Sequence, residues 1–316
     1  MIIKKYTKEY FDIWNEFNKN SKNGLFMFDR NYMDYHSDRF IDHSLMFYEN
    51  DRLFALLPLN EKDDTLYSHQ GLTFGGFICD SKMQQSKMLD CFDVLFDYMR
   101  KQNFKNLIYK SVPYIYHKKA SQEDLYALFI NNAQLYRVDC SSVIYLDNYK
   151  SAKGRKYQIS KAVKENIIIE ESNDYKNFIK LLNEVLYKQH SAKAVHNEKE
   201  LILLNSRFPE NIKLFIAKKD GVIVAATLLF IYENLVHTQY LANSNYGREV
   251  GALDLLLKTL IEKYSKEKKY FDFGISTENE GKYLNKGLIF QKESFGGRTM
   301  VHNVWKINTR KDYNVF

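Results

Sequence analysis

Four ionisable residues in the second half of the chain have types and positions suited to acid–base or electrostatic chemistry: His237, Asp272, Glu278 and Lys292. His237 alternates with Gln239 on an apolar strand, so one face of that strand can border a cleft and offer a general base. A hydrogen-bonded core histidine is the other reading of the same pattern. Asp272 ends a strand, where open α/β sheets place their sites. The Asp-Phe-Gly turn equally calls for a carboxylate that accepts backbone N–H groups. Glu278 follows on the loop 276–280 and could act through a water. Lys292 stands beside a Gly-Gly turn and could stabilise an oxyanion or a phosphate, or simply be a surface lysine at a strand end. The three cysteines, Cys79, Cys91 and Cys140, form no CxxC pair and share no metal spacing with histidine. His190 and His196 suit a cleft rim better than a metal site, so no metal is expected.

A second group of residues has the spacing of a donor-binding turn. The strand 235–242 runs through Leu241 and Ala242 toward Gly247, Arg248, Glu249, Val250, Gly251 and Ala252, which open a helix. Free N–H groups at a helix N-terminus can hold a pyrophosphate, and glycines let the backbone approach it closely. The stretch is neither a Walker motif nor a dinucleotide fingerprint, and a plain packing turn is its alternative. Arg155 and Lys156 on a basic helix, His190 at the close of the helix 174–189, Tyr240 and Arg298 are the candidate substrate contacts.

Composition limits the partners. The chain has 316 residues, 45% hydrophobic and 27% charged, which is globular and long enough for two domains. Mean hydropathy is -0.46, and no apolar run approaches the roughly 18 residues of a membrane span. No membrane span is expected, and residues 1–6 lack a leader pattern, so a cytoplasmic protein is expected. A net charge of +7 favours anionic partners such as phosphorylated cofactors or RNA.

The elements that must position these residues occur twice. Strands at 45–48 and 53–59 flank Asn50-Asp51, and strands at 214–217 and 222–232 flank Asp220-Gly221, a strong hairpin signal. Each hairpin precedes a glycine-bearing stretch, 71–76 or 247–251. An amphipathic helix follows, 82–100 or 252–264, and then a strand, 106–110 or 270–273. Short helices at 124–131 and 280–286 then lead into strands at 134–139 and 290–294, with a last strand at 300–307. The pattern predicts an α/β fold with mixed sheets in two tandem copies, 1–150 and 151–316. The second copy opens with the basic helix 151–165, expected to roof a cleft.

This element order is that of the GNAT acyltransferase superfamily. Tyr270-Phe271-Asp272-Phe273-Gly274-Ile275 is similar to the yDFGG strand of its Fem-like branch. Phe295-Gly296-Gly297 after Gln291-Lys292-Glu293 is similar to the FK..FGG ending, and Gly154-Arg155-Lys156 with Lys161-Ala162 to the R..i.kA...G opening. The chain thus resembles the FemAB-like GNAT proteins, by motif over 151–307 and by element order alone before that. The resemblance implies two tandem GNAT-like acyl-CoA N-acyltransferase domains. It also implies an acyltransferase that moves an acyl group to an amine by direct attack. The expected donor is acyl-CoA, acetyl-CoA included, or an acyl carrier protein, because the long coiled-coil insertion of several tRNA-dependent Fem enzymes is missing. The expected acceptor is an amine of a cell-envelope precursor or a small molecule. An aminoacyl-tRNA-dependent Fem-type peptidyltransferase and a non-catalytic GNAT-like scaffold are the alternatives.

Overall fold

In the computed structural model the described residues are 1–147, 149, 153–190 and 193–309, with the side chains of 153, 189 and 190 outside that set. The chain divides into two compact units, Met1–Asp139 with Val301–Phe316, and Cys140–Met300. This division differs from the expected 150/151 boundary at both ends. The strand at 134 continues to Tyr145, because Val143 and Ile144 remain apolar and buried, and the last strand is shared out to the first unit from residue 301.

In the first unit, β1 (Ile2–Lys5), β2 (Leu45–Glu49) and β3 (Arg52–Leu57) form an antiparallel sheet. Asn50 and Asp51 take positive φ of 48° and 61°, the backbone a tight hairpin between right-twisted strands needs. A three-residue strand, β4 (Thr65–Tyr67), follows, and β5 (Ile78–Cys79) then pairs with β3. Helix α1 (Gln85–Lys101) buries Met88, Phe92, Leu95 and Met99 at helical spacing. It leads into β6 (Asn106–Lys110), which is parallel to β4 and antiparallel to the chain's last strand. Helix α2 (Glu123–Ile130) then precedes β7 (Gln134–Tyr145).

The second unit has a core of its own. Helix α3 (Lys156–Lys164) is followed by β8 (Ile168–Ser172), α4 (Tyr175–His190), β9 (Ile212–Lys219), β10 (Val222–Ile231) and β11 (Leu235–Asn243). Asp220 and Gly221 take φ of 49° and 81°, so the β9–β10 turn has the expected hairpin geometry. A short α5 (Asn245–Val250) precedes α6 (Ala252–Tyr264), whose Leu253, Leu256, Leu257, Leu260 and Ile261 pack against Phe271 and Phe273. Those two rings belong to β12 (Tyr270–Ile275). Within this unit the sheet runs β8-β9-β10-β11-β12 and on to residues 141–145 of β7, with β11 and β12 parallel and every other pair antiparallel.

The end of the chain departs from expectation. The segment 280–286 is not a helix: Thr277–Glu278 and Tyr283–Leu284 form a small hairpin. The segment 290–294, expected as a strand, lies in α7 (Lys286–Glu293), after which β13 (Arg298–Asn308) closes the chain. The physical cause is a cap. The Asn285 side chain accepts the Leu288 N–H at 3.0 Å and starts the helix there.

Candidate active site

The parallel pairing of β11 with β12 lasts only three residues, Leu235 with Tyr270 to His237 with Asp272. Strand β11 stays paired to β10 as far as Asn243, so β12 diverges from it and the two strands splay. A register shift between Leu228 and Leu229 leaves Gln239 as an extra residue opposite β10, which re-aims the remaining strand.

At the apex of the splay His237 Nδ1 lies 3.0 Å from Asp272 Oδ2. Asp272 is fully buried, and its Oδ1 accepts from Ser141 Oγ and from the Gly274 N–H. The serine is bonded to the aspartate and not to the histidine, so this is not a nucleophilic triad. Lys292 closes the cluster from α7. It is buried, and its Nζ donates to the carbonyls of Gly274 at 2.9 Å and Ile275 at 2.7 Å. Burial lowers its pKa to about 8, with Asp272 pulling the other way. Lys292 is therefore a helix residue clamping the end of β12, not a strand-end surface lysine.

Further along β11 a cleft of about 600 Å³ opens. Leu241 and Asn243 line it from β11, Arg155 and Gln158 from the start of α3, Val185 from α4, and Arg248, Leu253 and Asp254 from α5 and α6. Asn285, Gly287, Leu288 and Gln291 complete it from α7 and its cap. Arg155 fixes one wall. Its Nη1 lies 3.2 Å from Asp254 Oδ1, its Nε donates to Ser294 Oγ at 2.6 Å, and its guanidinium stands over the Phe295 ring. Burial raises the Asp254 pKa, against the pull of Arg155. Two carboxamide oxygens of the lining, Gln158 Oε1 and Asn243 Oδ1, are buried and meet no hydrogen-bond donor. The chemistry on offer is a polar, nearly neutral surface with two guanidiniums able to polarise a carbonyl.

The candidate residues separate into groups. Of the donor-binding set only Leu241 and Arg248 line the cleft. Glu249 is exposed, while Ala242, Val250 and Ala252 are buried in the core. The glycines serve packing. A Cβ on Gly247 would stand 2.3 Å from the Val224 carbonyl, and one on Gly251, at φ +76°, 2.4 Å from the Gln158 carbonyl of α3. The turn is helix α5, capped by Ser244, and the backbone approaching it is the protein's own. At both glycines the close approach is made by the protein's own backbone.

Of the substrate set, Arg155 lines the cleft, Lys156 is exposed beside it, and the His190 side chain lies outside the described residues. Tyr240 bonds His196 Nδ1 at 2.6 Å, and Arg298, exposed, bonds the Gly297 carbonyl. Neither lines the cleft. Glu278 accepts from Asn285 Nδ2 at 2.8 Å and so holds the α7 cap. His237 and Asp272 stand about 13 Å along the strand from Leu241, four residues at 3.3 Å each. The helix expected to roof a cleft packs on α5 and α6 of its own unit. Gln158, Asn243, Asp254, Asn285 and Gln291 were missed by the motif reading; a polar residue at a strand end or a helix cap was their only trace.

Among the described residues no group of three or more His, Cys, Asp or Glu is placed to hold a metal, and no helix is long and apolar enough to cross a membrane. No family model matches the sequence, and no curated protein does. Solved structures do match in fold. FemX aligns with a TM-score of 0.68 at 12% identity over 98% of each chain. L-PGS from Bacillus licheniformis aligns at 0.63 and 13%, over 99% of this chain and 95% of that one. A tandem GNAT protein from the clavulanic acid biosynthesis pathway aligns at 0.52 and 10% over 99% of each. The fold is the one shared by FemX, L-PGS and the tandem GNAT protein.

Proposed function

We propose that the chain is a transferase that joins an activated acyl or aminoacyl group to an amine by direct attack, in the cleft of the second unit. The observation that carries this reading is the splay of β11 from β12, with a polar cleft at the carboxyl end of β11 bearing Arg155 and Arg248. Guanidiniums fixed beside a carbonyl stabilise the charge it develops under attack.

The donor in this reading is an aminoacyl ester on tRNA. The thioester donors first expected, acyl-CoA and acyl carrier protein, need a phosphate cradle, and the glycines that were to form it are packed against Val224 and Gln158. Charge supports the same choice: residues 140–300 hold 25 Lys and Arg against 19 Asp and Glu, six of the chain's excess of seven. Acyl-CoA stands as the second reading, favoured by the likeness to a tandem GNAT protein solved without AcCoA. The acceptor is proposed as an amine of a cell-envelope precursor, on the Fem-like resemblance. Thermal shift separates the donors. A ligand at a hundredfold excess over its Kd stabilises by roughly 2.7 kcal/mol. The reading expects this from charged tRNA and not from CoA esters, and a shift with acetyl-CoA alone would reverse it.

A further inference from the structure

We propose that Gln158, Asn243 and Asp254 form a subsite for a protonated primary amine, held as a recognition handle and not as the nucleophile. The inference rests on the cleft being the transfer site, and it names what that cleft recognises.

The three side chains gather at the junction of α5 and α6. Asn243 Oδ1 lies 2.4 Å from where a Gly247 Cβ would stand, and the Cβ of Gln158 3.0 Å from where a Gly251 Cβ would stand. Gly247 and Gly251 are one helical turn apart, Asp254 sits in the first turn after Gly251, and all three polar side chains line one cleft. Each offers oxygen. Gln158 Oε1 and Asn243 Oδ1 are buried without a hydrogen bond, and Asp254 Oδ1 faces the Arg155 guanidinium at 3.2 Å. Buried oxygens of this kind are as a rule satisfied by some donor.

A primary ammonium has three N–H donors and no acceptor, which matches the three oxygens of these side chains. A hydroxyl brings its own lone pairs and gains less. The carboxylate adds charge assistance for a cation, and it has a second oxygen beyond the one facing Arg155. An amine kept protonated cannot attack a carbonyl. The group held here is therefore a second amine on a substrate, separate from the one that is acylated.

L-alaninamide and N-acetyl-L-alaninamide are a matched probe pair, identical except for the ammonium. Calorimetric titration of the full-length chain is expected to show L-alaninamide binding at least tenfold tighter. Asp254→Asn should weaken L-alaninamide by roughly tenfold, the loss of one charge-assisted hydrogen bond, and leave the acetylated probe unchanged. If Asp254→Asn fails to fold because Arg155 loses its partner, Gln158→Met gives the same test at a position without an ion pair. Equal affinity for both probes, no binding of L-alaninamide, or a folded variant that binds it like wild type would overturn the subsite. Ammonium binding without acyl transfer from any donor would leave the subsite standing and remove the transferase reading; transfer without ammonium binding would do the reverse.

Discussion

Replacing Lys292 by Met probes the clamp between α7 and β12, and its effect must depend on pH. The lysine is buried, and its pKa falls from 10.5 to about 8. In the unfolded chain it stays protonated up to its ordinary pKa, so between pH 8 and 10.5 the unfolded state binds more protons. Stability of the wild type then rises with pH through that window. The shift corresponds to about 3 kcal/mol at 1.36 kcal/mol per unit. A neutral amine keeps two N–H donors, enough for the carbonyls of Gly274 and Ile275. Met removes both donors and leaves two acceptors unpaired, at about 1–3 kcal/mol each, but it also removes the desolvated charge. At pH 7 the variant should therefore lie between about 1 kcal/mol more stable and about 3 kcal/mol less stable than wild type, and by pH 10 it should have lost about 2–3 kcal/mol more relative to wild type. Urea unfolding of both proteins at pH 7, 8, 9 and 10 measures this, the variant curve cancelling tyrosine and surface titrations. A gap that stays constant or narrows would refute the assignment of Lys292 as a buried clamp.

Asp272→Ala strips the partners of His237, Ser141 and Gly274 at once and should cost about 3–5 kcal/mol, the usual price of breaking a buried pair, read as a fall in thermal midpoint. Gly251→Ala and Gly221→Ala form a contrast. Both have positive φ, but only the first would drive a Cβ into a carbonyl at 2.4 Å; Gly221→Ala should lose about 1–2 kcal/mol, and Gly251→Ala markedly more or fail to fold, checked by soluble yield and circular dichroism. Arg248→Ala, at an exposed residue of the cleft wall, should leave unfolding unchanged within about 0.5 kcal/mol and weaken donor binding about tenfold in a titration.

Much of the fold was legible because its signals are local. Asp220-Gly221 specifies its own turn, and α6 has the bounds 252–264 that its leucine spacing predicts. The segment 280–294 misled because α7 inverts the rule: Phe290 is 70% exposed while Lys292 is buried. A lysine whose ammonium reaches two carbonyls 17 and 18 residues back cannot be told from a surface lysine in one dimension. The glycines at 247 and 251 are sites of close approach. What approaches is Val224 and Gln158, and only tertiary structure could say so. The His237–Asp272 contact was present as two separate candidates, but its distance from the cleft lining was not.

Gly287 offers the most direct test of where transfer occurs. It lines the cleft on α7, and a Cβ there would meet nothing closer than Asn285 Oδ1 at 3.7 Å. Gly287→Trp can therefore fill the cleft without straining the backbone. The measurement is acyl or aminoacyl transfer to an amine acceptor, followed by mass spectrometry, in wild type and Gly287→Trp at matched thermal midpoints. The expected result is a variant that folds normally and loses transfer and donor binding together. A folded Gly287→Trp that transfers at the wild-type rate would place the chemistry elsewhere in the molecule and contradict it.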